Sequence, residues 1–123
     1  MERYNYYEAM ENDVMDAMEN YKAGEYDRDE LESLMNDELW VDDSVTGNAS
    51  GSYWFSTWKA EEAIAHNWDL LAEAYSEFGY QEIDLDNFSP ETADVTIRCY
   101  LLPQIIAQVL DTVENTKPDF FKA

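Results

Sequence analysis

Apolar residues recur at three- and four-residue intervals in four stretches of the chain, and that spacing predicts four amphipathic helices. Over residues 4 to 22, Tyr7, Met10, Val14, Ala17, Met18 and Tyr21 fall on one helical face, with Glu8, Asp16 and Glu19 opposite. A break at Ala23-Gly24 follows, and Asp27 with Glu30 three residues on forms a capping pair that opens a second helix. Its stripe is Leu31, Leu34, Met35 and Leu39; a further residue would place Trp40 on the polar side, so the helix is expected to end near residue 40. Ala60, Ile64, Trp68, Leu71, Tyr75 and Phe78 make the longest regular stripe. They predict one third helix, running from a Ser56 or Thr57 cap to a left-handed C-terminal cap at Gly79.

Between the second and third helices, VDDSVTGNASGSYWFS combines turn residues with the aromatic run Tyr53-Trp54-Phe55 and predicts a short strand or hairpin near 44–56. The last helix opens at Ser89-Pro90-Glu91, an N-cap followed by proline and an acid in the first turn. Along it the apolar positions change sides, from Ala93, Ile97, Tyr100 and Leu101 to Leu102, Ile106, Val109 and Val113, with Pro103 at the changeover. The expected architecture is mainly α: one domain spanning 1–123, about four helices packed around a central C-terminal helix kinked at Pro103, and a small β element. Asp94 and Arg98 stand four apart in this otherwise apolar helix, the spacing of an intrahelical pair, and Arg98 is expected to tie elements together from inside.

Charge changes the picture more than any motif does. Twenty-eight Asp and Glu oppose seven Lys and Arg, a net charge of −21, yet 46% of residues are hydrophobic, so a folded domain is expected rather than disorder. Positions 1 to 43 hold 15 of the carboxylates, against Arg3, Lys22 and Arg28. A field of that sign excludes direct nucleic-acid and anionic-membrane ligands and selects a basic partner. Spread over the surface expected at this mass, it averages roughly one net charge per 320 Å², about threefold sparser than the phosphates of duplex DNA. Imitation of DNA therefore requires the charges to gather on one face, and the first two helices are where they gather.

Other chemistry finds little support. No phosphate-binding glycine loop is present, the lone Cys99 can close no internal disulfide, and no N-terminal export signal or bilayer-length apolar run is visible. No cofactor and no enzymatic activity are expected. His66 falls one turn from Glu62 and Asp69, so the alternative to an inhibitor is a small metal-binding module on Glu62, His66 and Asp69, or a structural or assembly protein.

The stretch NDELWVDDSVTGNASGSYWFSTWKAEEAIAHNWDLL (36–71), with ADVTIRCYLL (93–102), resembles a group of small acidic proteins encoded by phages and mobile elements of Gram-positive bacteria. The resemblance implies a bacterial host cytoplasm and a role in disarming host defence, for which anti-CRISPR proteins are the commonest examples. The expected function is a non-enzymatic inhibitor that mimics DNA and binds a basic nucleic-acid-binding surface of a host nuclease, such as a type II CRISPR effector. Glu8, Glu11, Asp13, Asp16, Glu19, Asp29, Glu30 and Asp37 are expected to supply the anionic patch, with Trp40 and Trp54 as aromatic anchors.

Overall fold

The computed structural model describes residues 5–42, 45–46, 57–79 and 89–122, those at 57–60 and 91 by their backbone. The described residues form five α-helices: α1 (Tyr6–Ala17), α2 (Arg28–Trp40), α3 (Thr57–Ala65), α4 (Trp68–Glu77) and α5 (Pro90–Thr116). Single 3-10 turns follow α1 at Met18–Asn20 and α5 at Pro118–Phe120. The helical class expected from the apolar spacing is the observed one, with no strand among the described residues; most of the segment expected to hold a β element, Trp54 included, lies outside them. Val45 and Thr46, the described part of that segment, form a turn instead, their amides donating to the Asp42 carbonyl at 3.0 and 2.9 Å. Among the described residues no helix is long and apolar enough to cross a membrane.

The helix starts follow their local chemistry. Asn5 accepts from the Glu8 amide at 3.1 Å, Asp27 from the Glu30 amide at 2.8 Å, and Ser89 from the Thr92 amide at 3.4 Å, with Pro90 in the first turn. Each cap satisfies an amide that has no partner within its helix. Gly79, with φ +79°, supplies the expected left-handed end after α4.

The third predicted helix is two. α3 stops at Ala65 because the next residues turn: the Asn67 backbone amide donates to Ile64 at 2.9 Å, and its side-chain amide donates to the Ala63 carbonyl at 2.7 Å. Asn67 then occupies the N-cap position of α4 with φ −132°, an Asn competing locally for helix hydrogen bonds. Breaking the register changes what the stripe buries. Ile64 and Leu71 remain inside, whereas Trp68 and Phe78 come to the surface.

α5 is the axis of the molecule, and α1, α2, α3 and α4 each pack against it. The helix runs uninterrupted through Pro103, which is exposed and leaves the Cys99 carbonyl without its intrahelical donor. Before Pro103 the helix is buried almost all round, at Ala93, Asp94, Thr96, Ile97, Arg98, Cys99, Leu101 and Leu102. Beyond it burial narrows to one stripe, Ile105, Ile106, Val109, Leu110 and Val113. The stripe after Pro103 is the second side read from the sequence, but before it the burial covers both sides and not the first alone. Each fully buried Leu or Ile contributes about 1.5–3 kcal/mol, so this helix supplies the largest share of the apolar stabilisation. On α1 the buried face is Tyr6, Met10, Val14 and Ala17; Tyr7, expected inside, is exposed, and Tyr6 takes its place for a polar reason.

That reason is a buried network on α5. The Arg98 Nε donates to Asp94 Oδ2 at 2.9 Å, and the Tyr6 hydroxyl donates to the other Asp94 oxygen. Arg98 Nη1 donates to the Val45 carbonyl at 3.3 Å and lies 3.6 Å from Asp13 Oδ2, while the guanidinium carbon sits 5.6 Å from the Tyr6 ring centroid. Asp94 is fully buried and Arg98 is 1% exposed. One guanidinium thereby joins α1, the 45–46 turn and α5, the tying role expected of Arg98. At the other end, the Gly24 amide donates to Phe120 at 2.8 Å and the Lys122 amide to Tyr26 at 2.7 Å, fastening the C-terminal segment across the turn between α1 and α2.

Removing one partner of a buried ion pair leaves the other charge uncompensated. Arg98→Met is expected to destabilise the fold by about 3–5 kcal/mol in chemical denaturation, and Asp94→Leu/Arg98→Met to recover most of that loss.

Candidate functional site

The carboxylates of the first two helices divide into those drawn inward and those left on the surface. Glu8, Glu11, Asp16 and Glu19 are exposed on α1 and the turn after it, and a 100° step per residue fans them over the side opposite Tyr6, Met10 and Val14. On α2 the outward row is Glu30, Ser33, Asp37 and Trp40, with Asp29 beside it, opposite buried Leu31, Met35 and Leu39. Asp13 does not belong to this surface. Its side chain is half-buried toward Arg98, and burial raises its carboxyl above the ordinary value although Arg98 pulls the other way. It is removed from the expected patch because the network on α5 needs it.

Among the described residues, the ion pairs leave the carboxylates of these outward rows out. Ion pairs among the described residues use Arg28 and Arg98. Arg28 donates to Asp111, to Glu114 at 3.3 Å and to the Ala107 carbonyl at 3.3 Å, so its charge is directed onto α5. Lys22, Lys117 and Lys122 all stand at the end where the C-terminal segment crosses the turn after α1.

Beside the α2 row lies an aromatic groove of about 510 Å³, lined by Trp40, Glu77, Phe78, Cys99, Tyr100, Pro103 and Gln104. Phe78 meets Trp40 and Tyr100 edge to face, each at 6.4 Å between centroids with planes at 76° and 80°. Trp40 and Phe78 are each 38% exposed, so two large rings face solvent at the ends of two helices. Trp40 was expected as an anchor; Glu77, Phe78 and Tyr100 were not, because the uninterrupted third stripe placed Phe78 in the core. The available signal was Asn67, a cap residue inside that stripe.

A second cleft, about 370 Å³, lies between α1 and the α3–α4 turn, with Tyr7, His66, Trp68, Asp69 and Glu73 in its wall. His66 and Asp69 share it, but Glu62 stays on α3, since the break at Asn67 destroys the helical spacing on which a shared ligand set depended. Among the described residues no group of three His, Cys, Asp or Glu is placed to hold a metal ion, so the alternative set Glu62, His66 and Asp69 is not assembled. Cys99 lines the other groove, and burial pushes its thiol up to about 11, so it neither meets His66 nor is a thiolate at neutral pH. What the described surface presents is carboxylates and aromatic rings. Comparison with protein-family models, with curated proteins and with solved structures finds no match for this chain.

The buried carboxyls set a pH dependence. Burial raises Asp94 despite the opposing effects of Arg98 and Tyr6, as it raises Asp13, so folding favours the protonated form of both. Their contribution is present at low pH and lost as pH rises from the ordinary 3.8 through the higher folded value. Asp27 acts oppositely: the Glu30 amide lowers it, so its contribution holds above 3.8 and is lost as pH falls through its lower folded value. The melting temperature is expected to rise as pH falls from neutrality toward 3.8, as self-repulsion also weakens, and to fall below that as the Asp27 contribution is lost. Asp13→Asn should flatten the rise in a calorimetric pH series.

Proposed function

We propose that the protein is a non-enzymatic inhibitor that occupies a basic nucleic-acid-binding surface of a host defence nuclease, in the manner of an anti-CRISPR protein. The observation that carries this reading is the segregation of charge. Arg98 is engaged inside the molecule and Arg28 on α5, while Glu8, Glu11, Asp16 and Glu19 project from α1 and the turn after it and take part in none of the ion pairs among the described residues.

Spacing supports the reading. From Glu8 to Glu19 the helical rise is about 16 Å, so the four carboxylates follow one another at roughly 5.5 Å along the axis, against about 3.4 Å for the phosphates of one DNA strand. The local linear density is within a factor of two of a nucleic-acid strand, closer than the whole-surface average. A helix also holds its charges in place before contact, so little ordering entropy opposes their docking into a basic channel. The guide-loaded type II effector offers such a channel, with arginines that read the flanking motif.

Reversal of Glu8, Glu11, Asp16 and Glu19 to Lys leaves the core and the Arg98 network untouched. The variant is expected to bind a guide-loaded type II CRISPR nuclease at least about tenfold more weakly at low salt and with a shallower salt dependence. Bound target DNA should abolish binding of the unaltered protein. Binding unchanged by the reversal, or indifferent to DNA, would overturn the proposal.

A further inference from the structure

We infer that the Trp40–Phe78–Tyr100 groove receives an arginine side chain of the basic partner, an inference that rests on the proposed reading of the protein as an acidic ligand of a basic surface. Three features select that occupant. Trp40 and Phe78 present ring surface to solvent, and an aromatic face attracts a cation through its quadrupole, tryptophan most strongly. Glu77 lies in the groove wall, where a carboxylate can accept both N–H groups of one guanidinium edge. Pro103 and Tyr100 supply an apolar wall for the methylene stem, leaving the charged head at the mouth beside Glu77.

Charge complementarity decides between occupants. No lysine or arginine stands among the described lining residues, and Asp37 lies one helical turn before Trp40 on the same outward row, continuous with the anionic surface. A phosphate or an acidic segment would meet Glu77 and a like-signed field. A second copy of the chain would bring another −21 against the first, which opposes self-association through this face. An ammonium group gains less here than a guanidinium, because it is more strongly hydrated and cannot stack as a plane on the rings. The groove therefore gives the docking surface a preference for arginine over lysine that carboxylates alone do not provide.

The test uses the full chain with two probes of equal charge, hexa-arginine and hexa-lysine peptides, titrated at low salt. The indole N–H resonance of Trp40 is assigned by its loss in Trp40→Phe. Hexa-arginine is expected to shift that resonance and to bind about tenfold more tightly than hexa-lysine, the size of a partly desolvated cation–π contact. Trp40→Ala and, independently, Glu77→Gln should reduce the ratio to less than about twofold while leaving hexa-lysine binding nearly unchanged, with circular dichroism confirming the helices. Equal binding of both peptides with no shift at Trp40 would overturn the groove inference and leave the acidic-ligand reading standing. Failure of both peptides to bind would overturn that reading, and the inference with it.

Discussion

A guanidinium enclosed by the protein it stabilises constrains everything around it. Arg98 cannot be left uncompensated at 1% exposure, and the groups that satisfy it come from three parts of the chain: Asp94 on its own helix, Asp13 with the Tyr6 ring from α1, and the Val45 carbonyl from the turn after α2. Apolar packing alone would let α1 rotate or slide along α5 at modest cost. A hydrogen-bonded ion pair does not, because a displacement of a few ångströms leaves a buried charge without its partner. The network therefore sets the rotation of α1, and with it the direction in which the outer carboxylates point.

This arrangement reconciles two opposing demands on an acidic chain. A net charge of −21 repels itself, and the simplest remedy, scattering arginines among the carboxylates, would cancel the field at the surface. Here Arg98 is placed at the centre and Arg28 against α5, where each joins elements of the fold. The same cations hold the helices together and leave the outward rows uncancelled. Stability and surface charge are thus separated by position.

How far the sequence disclosed this is seen residue by residue. Asp27, Ser89 and Gly79 announce helix ends through local hydrogen bonding or backbone conformation, and local signals survive folding. The Asp94–Arg98 spacing and the stripe after Pro103 were legible because both are properties of one helix. Asp13 was not: on α1 it looks like any outward carboxylate, and its inward role exists only because Arg98, 85 residues later, lies opposite. Tyr6 and Tyr7 were exchanged for the same reason, since a hydroxyl partner on another helix decides between adjacent tyrosines with equal apolar surface. The break at Asn67 failed differently. A regular stripe outweighed one cap-forming residue in the reading, although in the chain that residue's hydrogen bonds to Ala63 and Ile64 prevail. Trp40 could be anticipated on the surface, but the groove it forms with Phe78 and Tyr100 joins three helices and has no one-dimensional signature.

The fastening of the C-terminal segment to the turn after α1 gives the molecule polarity. By holding Lys117 and Lys122 near Lys22, it interleaves cations with carboxylates at one end of α5, an axis of about 40 Å, whereas the end where Tyr6 meets Asp94 carries Glu8, Glu11, Asp69 and Glu73. Among the described charges, this distribution is a dipole superimposed on a large negative charge. In the field of a cationic cleft such as the proposed partner's, these charges would experience a torque as well as an attraction, turning the first helical turns foremost before any side chain touches. The two backbone hydrogen bonds at Gly24 and Tyr26 would then govern the angle of approach from the far side of the molecule.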